Sequence, residues 1–391
     1  GSLTANGGID GAGIGGSDEH DGQVTITGGE ITATGGNGAA GIGGGAGDTD
    51  AVGGDGDVTI SGGTITSTGG RLAAGIGGGA YGNGTVTVTD GDITAKATGR
   101  YGAGIGGGYG AKPKPSGTLI GGNGTVTISG GTITEASGGY MAAGIGSGFQ
   151  GLGTVTIEGD AVIKNAQGGE AGAGIGSGTR GDSEIIIRGN AVIENAESSA
   201  NGAGIGAGQG SLRDNISTVG KVTIEGNAKI ENAKSGSGGS GIGGGFIGIG
   251  NVIIRGNAQI GNATGGEEGA GIGGGALGTG DVTIEGNVTI ENAKGGAGAA
   301  GIGGGAETQP DTKDTRNKVS IKSTEAGSPD ITATGGGASD GSLPGAAAIG
   351  SGSVADGATE VKSDITIEGK VTIDATGGGD VAIGDSINGE T

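Results

Sequence analysis

The chain has 391 residues, of which 111 are glycine and only six are aromatic, with no cysteine, no tryptophan and a formal net charge of −21. Side chains this small cannot fill a core of ordinary globular width, and the absence of cysteine removes disulfides, thiolate metal sites and cysteine nucleophiles together. The acidic balance, with no Lys or Arg before Arg71, argues against nucleic acid and anionic membranes as partners, and no apolar run reaches membrane-spanning length. Collagen and disorder are poor fits too. Gly-X-Y periodicity is missing, proline occurs five times, and regular Val-Thr-Ile triplets punctuate the glycine.

In chain order, Leu3–Gly8 matches the middle of a repeating unit (compare Ile31–Gly36), so we read the chain as a segment of a longer polypeptide. Next comes Gly11-Ala-Gly-Ile-Gly-Gly16, a stretch that returns twelve times, with isoleucines from Ile14, Ile42 and Ile76 through to Ile383. Alone it would fit a glycine-rich dinucleotide fingerprint. That fingerprint occurs once, between a strand and an amphipathic helix, whereas a self-similar unit of this length marks a solenoid.

One unit reads Val24-Thr-Ile26, Gly28-Gly29, Ile31-Thr-Ala33, Gly35-Gly36 and Ala40-Gly-Ile42. Aliphatic and threonine positions alternate, which predicts three short strands with the aliphatics facing inward. We therefore expect an all-β fold: a three-sided, right-handed parallel β-helix of about twelve coils of 28–30 residues. From triplet to the following Gly-Ile-Gly isoleucine the interval is 18 to 20 residues in ten of eleven coils. Five of the six length changes fall just after Gly-Ile-Gly, at 46–57, 109–125, 207–221, 306–318 and 351–364. The sixth lies between Ile321 and Ile349. Insertions gathered at one corner often mark a binding edge.

A single domain over 1–391 is expected, in three zones. Residues 3–150 carry Gly-Gly corners. In 151–305 stacking should align Asn165, Asn195, Asn232, Asn262 and Asn292 in one ladder and Asn190, Asn227, Asn257 and Asn287 in another, satisfying corner backbone groups. Residues 306–391 hold irregular coils and a C-terminal cap. A further column, Glu158, Arg188, Glu225, Arg255, Glu285, Lys322 and Glu368, alternates in sign coil by coil. Stacking in register would place each charge between two opposite ones.

The Val-Thr-Ile-x-Gly-Gly-x-Ile-Thr rhythm of Val58–Ser67 and Val126–Glu135 resembles that of bacterial surface adhesins built as parallel β-helices. It is also similar to a family of β-helical carbohydrate-binding proteins that hold calcium and bind acidic plant polysaccharides. The resemblance covers almost the whole chain. It implies an extracellular, bacterial cell-surface or secreted location, a glycan or host-surface ligand, and calcium. It carries no site motif residue by residue.

Catalysis needs groups out of step with the repeat. The single histidine, His20, has no nucleophile–base partner in Ser17–Asp21, and the carboxylates largely follow the repeat as surface columns. Two irregular pairs, Arg180 with Asp182 and Arg213 with Asp214, read as solvated loop residues. Calcium is the expected ion. Asp18, Glu19 and Asp21 cluster in one turn, and Asp48, Asp50, Asp55 and Asp57 lie at the same corner one coil later; flexible acidic loops can supply the six to eight oxygens that Ca²⁺ takes. Gly53–Ile60 resembles the calcium-binding nonapeptide roll, but valine stands where that roll has a ligand aspartate.

Five of the six aromatics flank successive Gly-Ile-Gly segments: Tyr81, Tyr101, Tyr109, Tyr140 and Phe149. Arg71 and Arg100 enter the same face, and the longest insertion brings Lys112 and Lys114 over it. Rings beside a few charged donors suit sugar rings or anionic glycans, while rings covering bare glycine corners are the structural alternative. An outward row of Thr25, Thr59, Thr87, Thr127 and Thr156 invites an ice-binding reading, but Ile186 and Ile253 interrupt it. The expected function is a non-catalytic segment of a bacterial surface protein, an adhesin stalk or ligand-presenting rod that binds glycans. A calcium-dependent carbohydrate-binding module is the alternative, followed by a polysaccharide lyase or glycoside hydrolase.

Overall fold

The computed structural model describes residues 1–47, 53–110, 122–306, 316–338, 344–354, 361–379 and 381–386. Among them there is no helix, and hence none long and apolar enough to cross a membrane. Two compact units divide the chain: Gly1–Ile186 with Ala191–Glu194, and Ile187–Asn190 with Asn195–Thr391.

In the first unit one coil consists of strands Gly22–Ile26, Glu30–Thr34 and Ile42–Gly43. Each pairs in parallel with its equivalent one coil on. Val24 aligns with Val58, then Val86, Val126 and Val155. Ile31 aligns with Leu3 and Ile65, and Ile42 with Ile14 and Ile76. The second unit repeats the arrangement from Thr218–Ile224, Lys229–Ser235 and Ile242–Gly243 to Ser363–Glu368, Thr372–Thr376 and Ile383–Gly384. The protein is a parallel β-helix solenoid of about a dozen rungs.

Alternation explains why these residues do it. In Gly22–Ile26 burial alternates strictly, with Val24 and Ile26 inside and Thr25 outside. Ile42, Ile60, Ile65 and Ile76 are almost completely enclosed. Isoleucine, valine and alanine are thus sufficient to fill so narrow an interior. The third side is only two residues wide, Ile-Gly, and there glycine is obligatory. A Cβ on Gly43 (φ +132°) would stand 2.1 Å from the carbonyl oxygen of Gly77 in the next coil. Coils can close up on this side because the position has no side chain and can adopt that backbone.

Both asparagine ladders form in the second unit. Asn227 donates to Asn190, Asn257 to Asn227 and Asn287 to Asn257, at 3.1–3.3 Å. Asn232, Asn262 and Asn292 each donate to the preceding member of their own column at 3.0–3.2 Å. The charge column also stacks in register, Arg255 beside Glu285 and Glu285 beside Lys322. Its pairing differs from expectation. Arg255 engages Glu225 at 2.6 Å and Lys322 engages Glu368 at 3.3 Å, each on one side only.

Candidate functional site

The aromatic face lies wholly in the first unit. It is built on positions fixed relative to Gly-Ile-Gly. Tyr109 and Phe149 each follow their isoleucine by four residues, Tyr81 by five, and Tyr101 precedes its own by four. Backbone bonds between coils bring them together. The Tyr81 N–H donates to the Tyr109 carbonyl at 2.9 Å, and the Phe149 N–H donates to the Tyr101 carbonyl at 2.9 Å. Tyr81 has φ +62°, but Glu19, Gln150 and Arg180 at the same place in other coils have φ of 59–63°. This conformation therefore belongs to the repeat, not to the site.

The four rings form a continuous cluster. Tyr109 sits centrally, 5.1 Å from Tyr81, 4.7 Å from Tyr101 and 5.7 Å from Phe149, the last stacked nearly parallel at 18°. Tyr101 and Phe149 meet edge to face at 5.5 Å. These are ordinary favourable ring separations. Tyr81 is buried, whereas Tyr101, Tyr109 and Phe149 are half-exposed and Tyr140 is exposed. Burial, with the adjacent Tyr101 phenol adding to it, raises the pKa of Tyr109.

Charged groups border the rings. Five residues before each isoleucine runs the column Arg71, Arg100, Tyr140, Glu170. The Arg100 guanidinium lies 5.1 Å from the Tyr140 ring centre and 5.8 Å from that of Tyr101, within cation–π reach. Tyr140 donates to the Glu170 carboxylate, which raises the phenol's pKa against the opposing pull of Arg100. Arg180 lies 5.9 Å from the Phe149 ring centre. The structure thus brings together Tyr81, Arg100, Tyr101, Tyr109, Tyr140 and Phe149, while Lys112 and Lys114 lie outside the described residues. Sequence reasoning missed Glu170 and set Arg180 aside as a loop residue. Their signal was positional: Arg180 follows Ile175 by the same five residues that separate Tyr81 from Ile76.

The acidic corner is arranged differently. Asp48 and Asp50 lie outside the described residues. Among the described residues no group of three or more His, Asp or Glu is gathered so as to hold a metal ion. An Asp21 carboxylate oxygen accepts the Asp55 N–H at 2.8 Å, and an Asp55 oxygen accepts the Asn83 N–H at 2.7 Å. The series continues as Asn123 N–H to Asn83 and Leu152 N–H to Asn123. Asp21, Asp55, Asn83 and Asn123 all precede their triplet by three residues, so this is a ladder tying coil to coil. Asp18, Glu19, Asp21, Asp55 and Asp57 do not by themselves fit a calcium cage. His20 is exposed, and its Nδ1 lies 2.5 Å from the Asp18 carbonyl oxygen.

Three stretches, 24–46, 58–80 and 126–149, match a family model described as a beta helix repeat. Those stretches run from the triplet to just beyond Gly-Ile-Gly, so the match and the strand register define the same unit. The chain is a parallel β-helix repeat protein, an architecture compatible with enzymes and non-enzymes alike. No curated protein and no solved structure matches the chain.

Proposed function

We propose that this β-helix is a non-catalytic segment of a bacterial surface protein that presents the Tyr–Phe–Arg face to a glycan of a host or neighbouring cell. The observation that carries this reading is the ring cluster itself. Five of the chain's six aromatics lie in consecutive coils of one unit, with Arg100 against two of the rings and Arg180 against a third. Exposed ring faces offer apolar contact to sugar C–H surfaces, and the bordering guanidinium and carboxylate groups supply donors and acceptors for hydroxyls. The non-catalytic part is supported by the carboxylates, which largely follow the repeat as columns, with Asp21, Asp55, Glu225 and Glu368 engaged by neighbouring coils. An acidic, cysteine-free chain suits an extracellular location.

The test is an immobilised-glycan screen of the purified chain with calcium and with chelator, repeated with Tyr109→Ala. Saturable binding to one glycan class that the substitution removes, while the melting curve is kept, supports the reading. Chelator sensitivity would add calcium to it. Silence across the screen, or binding that Tyr109→Ala leaves unchanged, contradicts it. A rise in reducing ends from any soluble polysaccharide would instead make the chain an enzyme.

A further inference from the structure

A cavity of about 460 Å³ opens in the second unit, far in sequence from the aromatic cluster. Two adjacent columns of the repeat line it: Arg188, Glu225, Arg255 and Glu285, and the glycine that follows each. Those glycines have φ between 73° and 91°, a conformation that favours glycine, so the floor is bare backbone. One end meets Thr324 and Ala326. These belong to a small turn in which Thr324 and Gly327 exchange N–H···O bonds of 2.9 and 3.1 Å. The turn lies within the length change between Ile321 and Ile349. It replaces the short corner that other coils use after the charged residue.

The charges along this groove are not all spent on one another. Arg255 gives two N–H groups to a single Glu225 oxygen, at 2.6 and 2.7 Å. Lys322 turns the other way, to Glu368. Glu285 stands in register between these two cations and has no ion pair or hydrogen bond among the described residues. It is half-buried and lines the cavity. A half-buried carboxylate with no protein donor keeps its acceptor sites open toward the groove.

We infer that this groove is a second binding site and that its ligand is a neutral, hydroxyl-rich oligosaccharide. A cationic ligand at Glu285 would meet Arg255 and Lys322 one coil away on either side, and an anionic one would meet Glu285 itself. Alternating signs along the column cancel over a coil spacing, so a polymer of uniform charge gains no net attraction. Sugar hydroxyls both donate and accept. They can give hydrogen bonds to Glu285 and take them from the N–H groups that Arg255 does not use on Glu225. The side-chain-free floor lets a ring lie against the backbone, and the volume is within the range of small-ligand sites.

The test is calorimetric titration of the full chain with six-residue oligosaccharides: cello-, manno-, xylo- and laminari-series as neutral probes, chitosan hexamer as cationic and hexagalacturonate as anionic. At least one neutral probe should bind. Glu285→Gln, which keeps the shape, should weaken it roughly tenfold or more, and Ala326→Trp, at an exposed position, should abolish it by filling the groove end. Tyr109→Ala should leave it unchanged. The inference is overturned if no neutral probe binds, if Glu285→Gln and Ala326→Trp both bind as the parent does, or if the cationic or anionic probe is preferred at this groove. A neutral probe lost in Tyr109→Ala but indifferent to Glu285→Gln would overturn this inference while leaving the aromatic-face reading standing.

Discussion

Replacing Gly146 with alanine should be among the most damaging single-methyl changes the protein can suffer. Gly146 has φ +130°, and a Cβ there would stand 1.9 Å from the Gly176 carbonyl oxygen of the next coil. Real Cβ contacts essentially never fall under 3.0 Å, so a backbone strand, not a flexible side chain, must retreat by about 1 Å. That oxygen also accepts the Ser147 N–H at 3.0 Å. Strain at a disfavoured backbone conformation costs about 1–3 kcal/mol, overpacking about 1–3 kcal/mol and the disturbed hydrogen bond about 1 kcal/mol. Together they come to roughly 3–7 kcal/mol, a large share of the stability of an ordinary domain. Gly8→Ala is the control, since a Cβ there meets nothing within 4 Å. Urea denaturation followed by circular dichroism should show the first transition of Gly146→Ala lowered by about 1 M or more, with Gly8→Ala unchanged or slightly stabilised. Equal midpoints for Gly146→Ala and the parent would refute the claim that coil stacking on this side depends on glycine.

Other consequences follow from particular groups. In an ultraviolet titration, the Tyr109 and Tyr140 phenols should ionise above the ordinary tyrosine range, and Glu170→Gln should bring Tyr140 back down. The Lys96 ammonium, 2.8 Å away, and the Ser137 hydroxyl hold the Glu135 pKa below its usual value. A depressed carboxylate stabilises the fold fully above its unfolded pKa, and that contribution is lost as pH falls through the folded one. Acid melts of the parent should therefore lose a small increment that Lys96→Met lacks already, under about 1 kcal/mol because the pair is substantially exposed. Asp55→Ala removes the acceptor for the Asn83 N–H and should cost about 1–3 kcal/mol, read as a lower thermal midpoint with or without calcium.

The fold was legible because the repeat states it many times over. Val24, Val58, Val86 and Val126 fall into one column on spacing alone, and in the structure they pair in the same register. The asparagine ladders were equally readable, since a stacked amide column has one obvious use. The site was legible only in part. Tyr81, Tyr101, Tyr109 and Phe149 could be placed on one face from their offsets to Gly-Ile-Gly, but which ring touches which depends on backbone bonds between coils. Glu170 escaped notice because one glutamate among many carries no signal until Tyr140 is seen to donate to it. The acidic corner shows the opposite limit. Clustered Asp residues look alike whether they serve a cation or a backbone N–H, and only geometry reveals Asp21 and Asp55 as rungs of a ladder. Glu285 likewise looked paired on both sides, because register fixes which residues are adjacent but not which way an arginine turns.

The central claim, that the aromatic face binds glycan, can be read from the tyrosines themselves. The chain has no tryptophan and four tyrosines, and all four (Tyr81, Tyr101, Tyr109 and Tyr140) lie in or against that face. Intrinsic tyrosine fluorescence therefore reports on this site without background from elsewhere. Titrating the chain with a glycan identified in the screen should change that emission along a saturable curve, with the midpoint shifted by Arg100→Gln. A glycan that binds by calorimetry yet leaves the emission flat throughout would place binding elsewhere and contradict the account.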